Sequence, residues 1–499
     1  MKEEKLEIKG MKIDGLFEEF NYSFSFNHDI NIITSPNGYG KSTVLRLIYS
    51  FSNASYFSFF SEVFSEITFL IESTEKKANQ TSINIDDEFY NENILYHKVQ
   101  EDKFLFDDEL ITKVNNRVHL VQIKKMNNLI SITDLTNRKN KTVIIDIDSE
   151  GGVDELWTKF SHEFPYINRV AYDRWENEIT GELYNKESIL RVCGGSALAR
   201  KDIPNIDWVD EITKKIKSYY ITTDRIKVSE YSSVDLRFPN ASSRRRAGLS
   251  NKSMINILAN DVKSKIQEGI RNQFELGRRR ESTFPQRLIQ SLQGGEGPAR
   301  VEEVMKSIKD IQKYEERFSS LGILSNEKER TTEQLNQFFS YQHEGTGLTV
   351  LKVYLDDIKL KYKVLDNLAV KLNLFKNSVN KLLSFKKVEI NFENGFSISP
   401  LNRKDVQIDL SSLSSGEQHL IVMLGKLVFG ATKGDVVLID EPEISFHPAW
   451  QEDFIDIIND IRNIKDFTVI MATHSHILIG GRWENVIELA EQHADGGNL

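Results

Sequence analysis

The sequence predicts an α/β protein in which the two ends of the chain form one core around a mostly helical middle. Three observations support this class. The apolar run Ile30–Thr34 leads into a glycine-containing loop and then into an apolar, helix-like segment. Two further apolar runs, at 436–440 and 469–473, alternate with helical patterns near the C-terminus. Residues 253–386 carry heptad-like stretches that are typical of helices and too interrupted for long coiled-coil arms.

Composition narrows the class of protein. The chain has 499 residues, 39% hydrophobic and 28% charged, which suits an ordinary globular protein of two to four domains. No apolar run has the ~20 residues of a membrane-spanning helix, and the charged N-terminus lacks the apolar core of a signal peptide. Cys193 is the only cysteine, which argues against a disulfide framework. These features predict a cytoplasmic protein without a membrane partner.

The net charge of −10 argues against a protein coated with nucleic acid, although local basic patches remain compatible with it. Two such patches are Arg244–Arg246 and Arg278–Arg280. They could contact DNA phosphates, an acidic partner or only solvent. The first lies in a polar stretch, 237–252, that we predict to be a linker.

Strands are expected near the N-terminus at 6–8, 22–26 and 30–34, in hairpins at 118–123, 129–132 and 143–147, and again at 218–221. The phenylalanine-rich segment Val44–Ile71 is expected to be a single helix with a wide apolar face.

The loop after Ile30–Thr34 fits a phosphate-binding motif. Ser35–Thr43 matches GxxxxGK[ST], the Walker A pattern, except that Ser35 replaces the first glycine. Such a loop directs backbone N–H groups and a helix N-terminus at phosphate oxygens. We therefore expect ATP to be bound by Asn37, Gly38, Tyr39, Gly40, Lys41, Ser42 and Thr43, with the Ser42 hydroxyl also binding Mg²⁺.

A second motif follows four apolar residues near the C-terminus. Val436–Asp440 followed by Glu441 is a Walker B pattern, in which Asp440 binds Mg²⁺ and Glu441 orients the attacking water. His474 ends another apolar strand 34 residues after Asp440, and we expect it to contact the γ-phosphate. His474 and His476 could also suggest a metal pair, but the sequence offers no third ligand.

A serine-rich segment lies 24 residues before the Walker B aspartate. Leu413–Gln418 stands where ABC-type ATPases carry the LSGGQ signature, so Ser414, Ser415, Gly416 and Glu417 are expected to bind ATP. Two positions depart from the pattern: Ser415 replaces a glycine and Glu417 the glutamine. The alternative is a serine-rich helix cap with no other role.

Together, the Walker A loop, LSSGEQH, LIDEPEISFHPAWQ and ATHS resemble ABC-type ATPases of the SMC/RecF/OLD group, and in particular bacterial antiphage ATPases such as AriA of PARIS and PtuA of Septu and retron systems. The resemblance implies an ABC-type P-loop ATPase head with an antiparallel β lobe and a helical insertion. It divides the chain into residues 1–235 and 387–499 of the head and a helical insertion at 236–386. It also implies ATP and Mg²⁺ as cofactors. Asp224 stands at the place of the family's Q-loop glutamine and is a candidate metal residue, with Gln122 as the alternative.

The resemblance also implies partners. Two such heads sandwich two ATP molecules, so the chain is expected to form a homo-oligomer that holds a separate TOPRIM-like or HNH nuclease and is triggered by a phage protein. The chief alternative is a RecF- or SMC-like repair ATPase acting on DNA. A self-sufficient OLD-like nuclease is less well supported, because only Asp146 and Asp148 mimic a TOPRIM aspartate pair and no Gly-Glu motif precedes them.

Overall fold

The computed structural model describes residues 5–27, 29–73, 118–136, 141–147, 152–178, 183–193, 196, 200–201, 203–221, 254–293, 299–323, 346–403 and 406–496. The strands are β1 (Leu6–Leu16), β2 (Phe20–Ser25), β3 (Ile30–Thr34), β4 (Glu66–Ser73), β5 (Val118–Met126), β6 (Leu129–Asp134), β7 (Thr142–Asp146), β8 (Ile167–Ala171), β9 (Arg174–Asn177), β10 (Leu183–Tyr184), β11 (Ser218–Ile221), β12 (Lys386–Asn391), β13 (Gly395–Pro400), β14 (Val436–Asp440), β15 (Thr468–Ala472) and β16 (Val486–Glu488). The α-helices are α1 (Lys41–Ser52), α2 (Gly152–Phe160), α3 (Lys186–Cys193), α4 (Asp207–Lys215), α5 (Met254–Gln293), α6 (Val301–Ser320), α7 (Thr346–Leu382), α8 (Ser415–Gly425), α9 (Pro448–Lys465), α10 (His476–Ile479) and α11 (Leu489–Gly496).

The chain divides into two compact units. The first joins 1–250 to 430–499, and the second comprises 251–429. The sequence analysis instead places residues 387–429, which include the serine-rich signature segment, with the C-terminal part of the head. Contacts within the chain group them with the long helices.

A five-stranded sheet with the order β11-β14-β15-β3-β16 lies at the centre of the first unit. All four neighbouring pairs are parallel. β3 and β15 are buried along their whole length, as expected for parallel strands covered on both faces. Parallel strands bring their carboxyl ends to one edge, so the residues after β3, β14 and β15 meet there.

A six-stranded antiparallel sheet, β2-β1-β4-β5-β6-β7, forms the second layer of this unit. The expectation that Val44–Ile71 forms a single helix is wrong. α1 ends at Ser52, a 3₁₀ turn spans Tyr56–Ser61, and β4 begins at Glu66. The final part, Glu66–Ser73, pairs with β1 on one side and β5 on the other. Its β-branched and aromatic residues pack in the core as a central strand, and this tertiary pairing outweighs helical spacing.

In its described residues, the second unit contains three long helices, the β12–β13 hairpin and α8. α5 has 40 residues and α7 has 37, so each is longer than the interrupted heptads suggest. α6 packs along α7 through Val304, Ile308 and Ile311 facing Leu348, Leu351, Leu355 and Ile358, spaced three to four residues apart. The predominantly helical character of 253–386 is confirmed for the described residues.

The predicted α/β class, with an antiparallel lobe and a helical insertion, is thus confirmed. None of the described helices is both long enough and apolar enough to span a membrane.

Candidate nucleotide-binding site

Local backbone geometry shapes the loop between β3 and α1. Gly38 and Gly40 both have positive φ, at 95° and 86°, which a residue with a side chain adopts only with strain. A Cβ on Gly40 would also lie 2.8 Å from Leu16 Cδ2 and 3.1 Å from a Phe17 ring carbon. Gly40 is therefore required both by its conformation and by the packing of the β1–β2 turn against the loop.

Lys41, the first residue of α1, is buried and folds back over its own loop. Its Nζ donates to the Ser35 carbonyl at 2.9 Å and to the Pro36 carbonyl at 3.2 Å. Burial lowers the pKa of Lys41, whereas four surrounding carboxylates oppose that shift, Glu441 most strongly and Asp440, Glu443 and Glu488 less so. The ammonium is thus held by carbonyl oxygens at the place where a phosphate would supply stronger acceptors.

The two described side chains predicted to bind magnesium, the Ser42 hydroxyl and the Asp440 carboxylate, lie together. Ser42 Oγ donates to Asp440 Oδ1 at 2.9 Å, and the Tyr220 hydroxyl donates to Asp440 Oδ2 at 2.9 Å. Burial raises the pKa of Asp440, while both hydrogen bonds act to lower it. The sequence analysis missed Tyr220. The available signal was its position near the end of a strand expected to precede the Q-loop.

The residue after β14 adopts a strained backbone. Glu441 has φ 46° and ψ 54°, the left-handed region that a non-glycine residue seldom occupies. Its N–H is fixed by a 2.8 Å hydrogen bond to the Ala472 carbonyl of β15. This conformation turns the Glu441 side chain towards His474, whose Nε2 lies 3.4 Å from Oε1. Strain of this kind is concentrated at functional sites.

His474 connects the two sides of the site. Its Nδ1 lies 3.4 Å from Lys41 Nζ, and a tautomer with hydrogen on Nε2 would let Nδ1 accept from the lysine. The His474 backbone N–H donates to Glu443 Oε1 at 2.6 Å. Glu443 Oε2 is buried without a hydrogen-bond partner in the described part of the chain. Glu443 therefore fixes the loop that carries His474.

The remaining loop residues have different environments. Asn37 and Gly38 are exposed. The Tyr39 ring packs at a tilt of 36° to Phe20, with centroids 5.3 Å apart, and the Tyr39 carbonyl accepts from the Tyr22 hydroxyl. The buried Thr43 accepts at Oγ1 from Arg46 NH2 at 2.7 Å. Thr43 thus has a packing role inside α1 in addition to any part in binding ATP.

The signature segment lies in the second unit, where it starts α8. Ser414 is the N-cap: its Oγ accepts from the Glu417 N–H, and Glu417 Oε2 accepts from the Ser414 N–H at 2.9 Å. Lys386 Nζ donates to both Glu417 oxygens at 2.7 and 2.8 Å. Burial raises the pKa of Glu417, but the bonds from Lys386 and Ser414 outweigh it and the pKa is lowered. Glu417 is therefore committed to a capping box and an ion pair, while Ser415 and Gly416 form the first turn of the helix.

Several other candidates are separate from this cluster or cannot be placed. Gln122 lies on β5 and donates to Glu66 Oε1. His476 begins α10 and contacts the Trp483 ring. Asp224, Asp148 and Arg244–Arg246 lie outside the described residues. Within the described ranges there is no group of three potential metal-binding side chains of the His, Cys, Asp or Glu type.

The residues present fit a magnesium nucleotide. Ser42 Oγ and Asp440 Oδ1 are adjacent oxygens of the type that Mg²⁺ prefers. A Cβ built on Gly38 would meet no atom within 4 Å, so the loop backbone is open to a ligand there. The Lys41 ammonium lies 2.9 Å from the Ser35 carbonyl oxygen of the same loop. Loop, lysine, hydroxyl and carboxylate together make the pattern of a phosphate-binding loop.

Comparison with known proteins supports this class of domain. Residues 284–480 match the family described as "AAA domain, putative AbiEii toxin, Type IV TA system", which is less than half of the chain. A 75-residue segment is 29% identical to protein ea59 of Escherichia phage lambda, covering 15% of this chain and 14% of ea59. The match and the strand–loop–helix site together define an ATPase-type P-loop protein.

Two solved structures of SMC heads are among those similar to this chain. One is the Smc head domain with an extended coiled coil bound to the C-terminal domain of ScpA, from Pyrococcus furiosus, at 10% identity and a TM-score of 0.32. The other is the SmcHead bound to the C-winged helix domain of ScpA, at 8% identity and a TM-score of 0.35. Each alignment covers 97% of this chain and 93% of the other.

Proposed function

We propose that this chain binds ATP with Mg²⁺ and hydrolyses it to ADP and phosphate. The observation that carries the proposal is the convergence of five side chains at one edge of the parallel sheet. Lys41 and Glu441 each lie 3.4 Å from His474, and Ser42 lies 2.9 Å from Asp440. They come from three separate strand ends, and each has a chemical role in phosphoryl transfer.

The role of each side chain follows from its position. Lys41 exchanges the carbonyls of Ser35 and Pro36 for the terminal phosphates. Ser42 and Asp440 would hold Mg²⁺, which when bound neutralises charge on the phosphate oxygens. Glu441 accepts a hydrogen bond from the attacking water and orients it. His474, whose Nδ1 lies 3.4 Å from Lys41 Nζ, stabilises the γ-phosphate beside the lysine.

The test is nucleotide binding and turnover by the Lys41→Ala variant. Loss of the ammonium removes the charge that faces the phosphates, so ATP affinity or turnover should fall by about 100-fold or more. Lys12→Ala is a matched control, because Lys12 is an exposed lysine of β1 paired with Asp14. Turnover that is equal in both variants and the parent would reject the P-loop assignment.

We further propose that the protein acts in the cytoplasm as the sensor and scaffold of an antiphage defence system. In this role a homo-oligomer holds a separate TOPRIM-like or HNH nuclease, and a phage protein releases it. The support is the motif resemblance to AriA and PtuA, together with a family match whose printed description names a toxin–antitoxin system. Purification of the chain with the product of its neighbouring gene tests this proposal directly.

The alternative is a repair ATPase that acts on DNA. The exposed Arg278 and Arg279 of α5 favour it, whereas Arg280 lies 3.9 Å from Asp357 and is less available. DNA would then stimulate ATP turnover, and Arg278→Gln with Arg279→Gln would reduce that stimulation. Turnover that does not respond to DNA, with co-purification of a nuclease, favours the scaffold.

A further inference from the structure

A second cavity lies in the first unit, between the small β10-β9-β8 sheet and the helix that follows it. Its volume is about 280 Å³, and none of the described residues that line it carries a carboxylate. The lining residues are Arg174, Leu183, Tyr184, Asn185, Ser188 and Arg191. We call this cavity the β9–α3 cleft. The guanidinium groups of Arg174 and Arg191 are the two charged groups among these lining residues, in a chain with net charge −10.

The two arginines differ in how firmly they are held. The Arg174 guanidinium makes no hydrogen bond or ion pair with any residue in the described ranges. Arg191 donates from Nε to Ser61 Oγ at 3.0 Å and from NH2 to the Ser61 carbonyl at 3.3 Å. Its Nε also lies 3.3 Å from Glu62 Oε1. Arg174 is therefore available to a ligand. Arg191 is already oriented at the cleft by its contacts with Ser61 and Glu62.

The start of α3 adds to the charge. Asn185 caps the helix: its Oδ1 accepts from the Ser188 N–H at 2.8 Å, and its own N–H donates to Ser188 Oγ at 2.8 Å. The positive end of the helix dipole thus points towards the same cleft as the arginines. Leu183 and Tyr184 line another part of it, and Leu183 is 61% exposed.

We propose that the β9–α3 cleft binds a small organic phosphate. Two guanidinium groups offer planar pairs of donors that match phosphate oxygens. The exposed Leu183 side chain and the Tyr184 ring provide apolar surface for the organic part. The volume suits a ligand at the lower end of the usual range for small-molecule sites, which is ~300–1,000 Å³. This site uses none of the residues of the P-loop.

The cleft is joined to the P-loop helix through one buried carboxylate. Glu62 is 6% exposed and accepts from Arg46 Nε at 2.9 Å as well as lying beside Arg191. Arg46 belongs to α1 and also donates to Thr43. A phosphate bound to Arg191 competes with Glu62 for the guanidinium, so Glu62 links the occupied cleft to α1.

The test measures binding in the Lys41→Ala background, in which the P-loop cannot account for phosphate affinity. Isothermal titration uses three probes: inorganic pyrophosphate, a 5′-phosphorylated deoxydinucleotide and the same dinucleotide with a 5′-hydroxyl. Binding of pyrophosphate supports a free phosphorylated ligand. Binding of the dinucleotide only when it is phosphorylated also supports the site and identifies a nucleic-acid end as the source.

The variants decide where the probe binds. Arg174→Gln should weaken binding about tenfold or more, since a hydrogen bond between charged groups contributes ~1.5–3 kcal/mol. Arg191→Lys should weaken it as well while retaining a charge beside Glu62. Arg169→Gln is the control, because Arg169 pairs with Asp154 at 2.6 Å and lies outside the cleft. Absence of binding by every probe, or binding unchanged by Arg174→Gln, overturns the proposal.

Discussion

At the residue scale, the Walker B carboxylates have distinct environments although they are adjacent in sequence. Asp440 is held by two hydroxyl groups, from Ser42 and Tyr220, at 2.9 Å each. Within the part of the chain that the structure describes, no hydroxyl donates to the Glu441 carboxylate, which lies 3.4 Å from His474 on a strained backbone. This difference suits Asp440 for binding a metal ion and Glu441 for orienting a water molecule. A carboxylate that orients water needs an oxygen that is not already accepting hydrogen bonds from the protein.

Glu441→Gln is expected to retain nucleotide binding and to lower ATP turnover by about 100-fold or more. The amide keeps the shape of the side chain but cannot accept a proton from water. The measurement is single-turnover hydrolysis alongside equilibrium binding of a fluorescent ATP. Glu452→Gln on the exposed face of α9 is the control. Turnover at the parental rate would transfer the role to Glu443.

Tyr220→Phe is expected to make Mg²⁺-dependent nucleotide binding more sensitive to acid. Burial already raises the pKa of Asp440, and the Tyr220 hydrogen bond opposes that shift. Its removal raises the pKa further, so Asp440 becomes protonated, and loses Mg²⁺, at a higher pH than in the parent. Nucleotide binding is measured across pH with and without Mg²⁺. The pH below which the Mg²⁺-dependent binding is lost, the acid limb of the curve, is compared between the parent and the variant.

Tyr219→Phe is the matched control for that experiment, because Tyr219 packs near Gly430 rather than on Asp440. An acid limb that stays in place in Tyr220→Phe would show that the hydroxyl does not tune the carboxylate.

At the element scale, α8 illustrates how one serine-rich segment can serve two purposes. The capping box between Ser414 and Glu417 satisfies the free N–H groups at the start of the helix. The same geometry would leave the Ser414 hydroxyl at the positive end of α8, where the signature hypothesis needs it. A helix cap and a signature segment are therefore compatible. Glu417 has an observed structural role, since it forms the capping box with Ser414 and an ion pair with Lys386.

His419, one turn into α8, is expected to make the stability of the protein depend on pH. Burial lowers the pKa of His419 to about 4, and the charge of Lys426 adds to this. The unfolded chain, with an ordinary histidine pKa near ~6.5, takes up the proton first, so stability is lost as pH falls from about 6.5 towards 4. The loss between pH 7 and pH 5 should be about 2 kcal/mol.

Chemical denaturation of the parent and His419→Gln at pH 7 and pH 5 measures this effect. The variant lacks the titrating group, so its stability should change less with pH than that of the parent, by about the same 2 kcal/mol. Carboxylates titrate equally in both proteins and cancel from the difference. An identical pH response in the two proteins would contradict the assignment.

At the scale of the whole molecule, the chain carries one Walker A loop and one signature segment. They fall in different compact units, residues 1–250 with 430–499 and residues 251–429. The resemblance to ABC-type ATPases implies that each complete site pairs the loop of one copy with the signature of another. Under the proposed function, assembly is therefore expected to be a condition for hydrolysis.

Mixing a Lys41→Ala chain with a Ser414→Arg chain should therefore restore part of the ATP turnover that each variant lacks alone. One interface of a mixed pair combines both altered elements, and the other combines two intact ones. Turnover is compared with the separate variants after mixed oligomers have been shown by differential tagging. A mixture that stays inactive although mixed oligomers form would contradict a shared, independently acting site.

The sequence by itself determined the contiguous parts of this protein. The P-loop and the Asp440–Glu441 pair follow from the order of glycine, lysine, serine and acidic residues along a few consecutive positions, whose geometry the local backbone largely fixes. The strands at 30–34, 129–132 and 218–221 likewise follow from short apolar runs.

Only the tertiary structure decided which distant groups meet. Tyr220 reaches Asp440 because β11 and β14 are parallel neighbours, and this pairing has no local signature. The segment 44–71 has helical spacing throughout, yet its last part is a strand because β1 and β5 supply hydrogen-bond partners on both sides. The ion pair between Glu417 and Lys386 likewise joins residues 31 positions apart, whereas the capping box of Glu417 with Ser414 is local. Long-range contacts contribute more free energy than local preference, so the sequence pattern could not rank them.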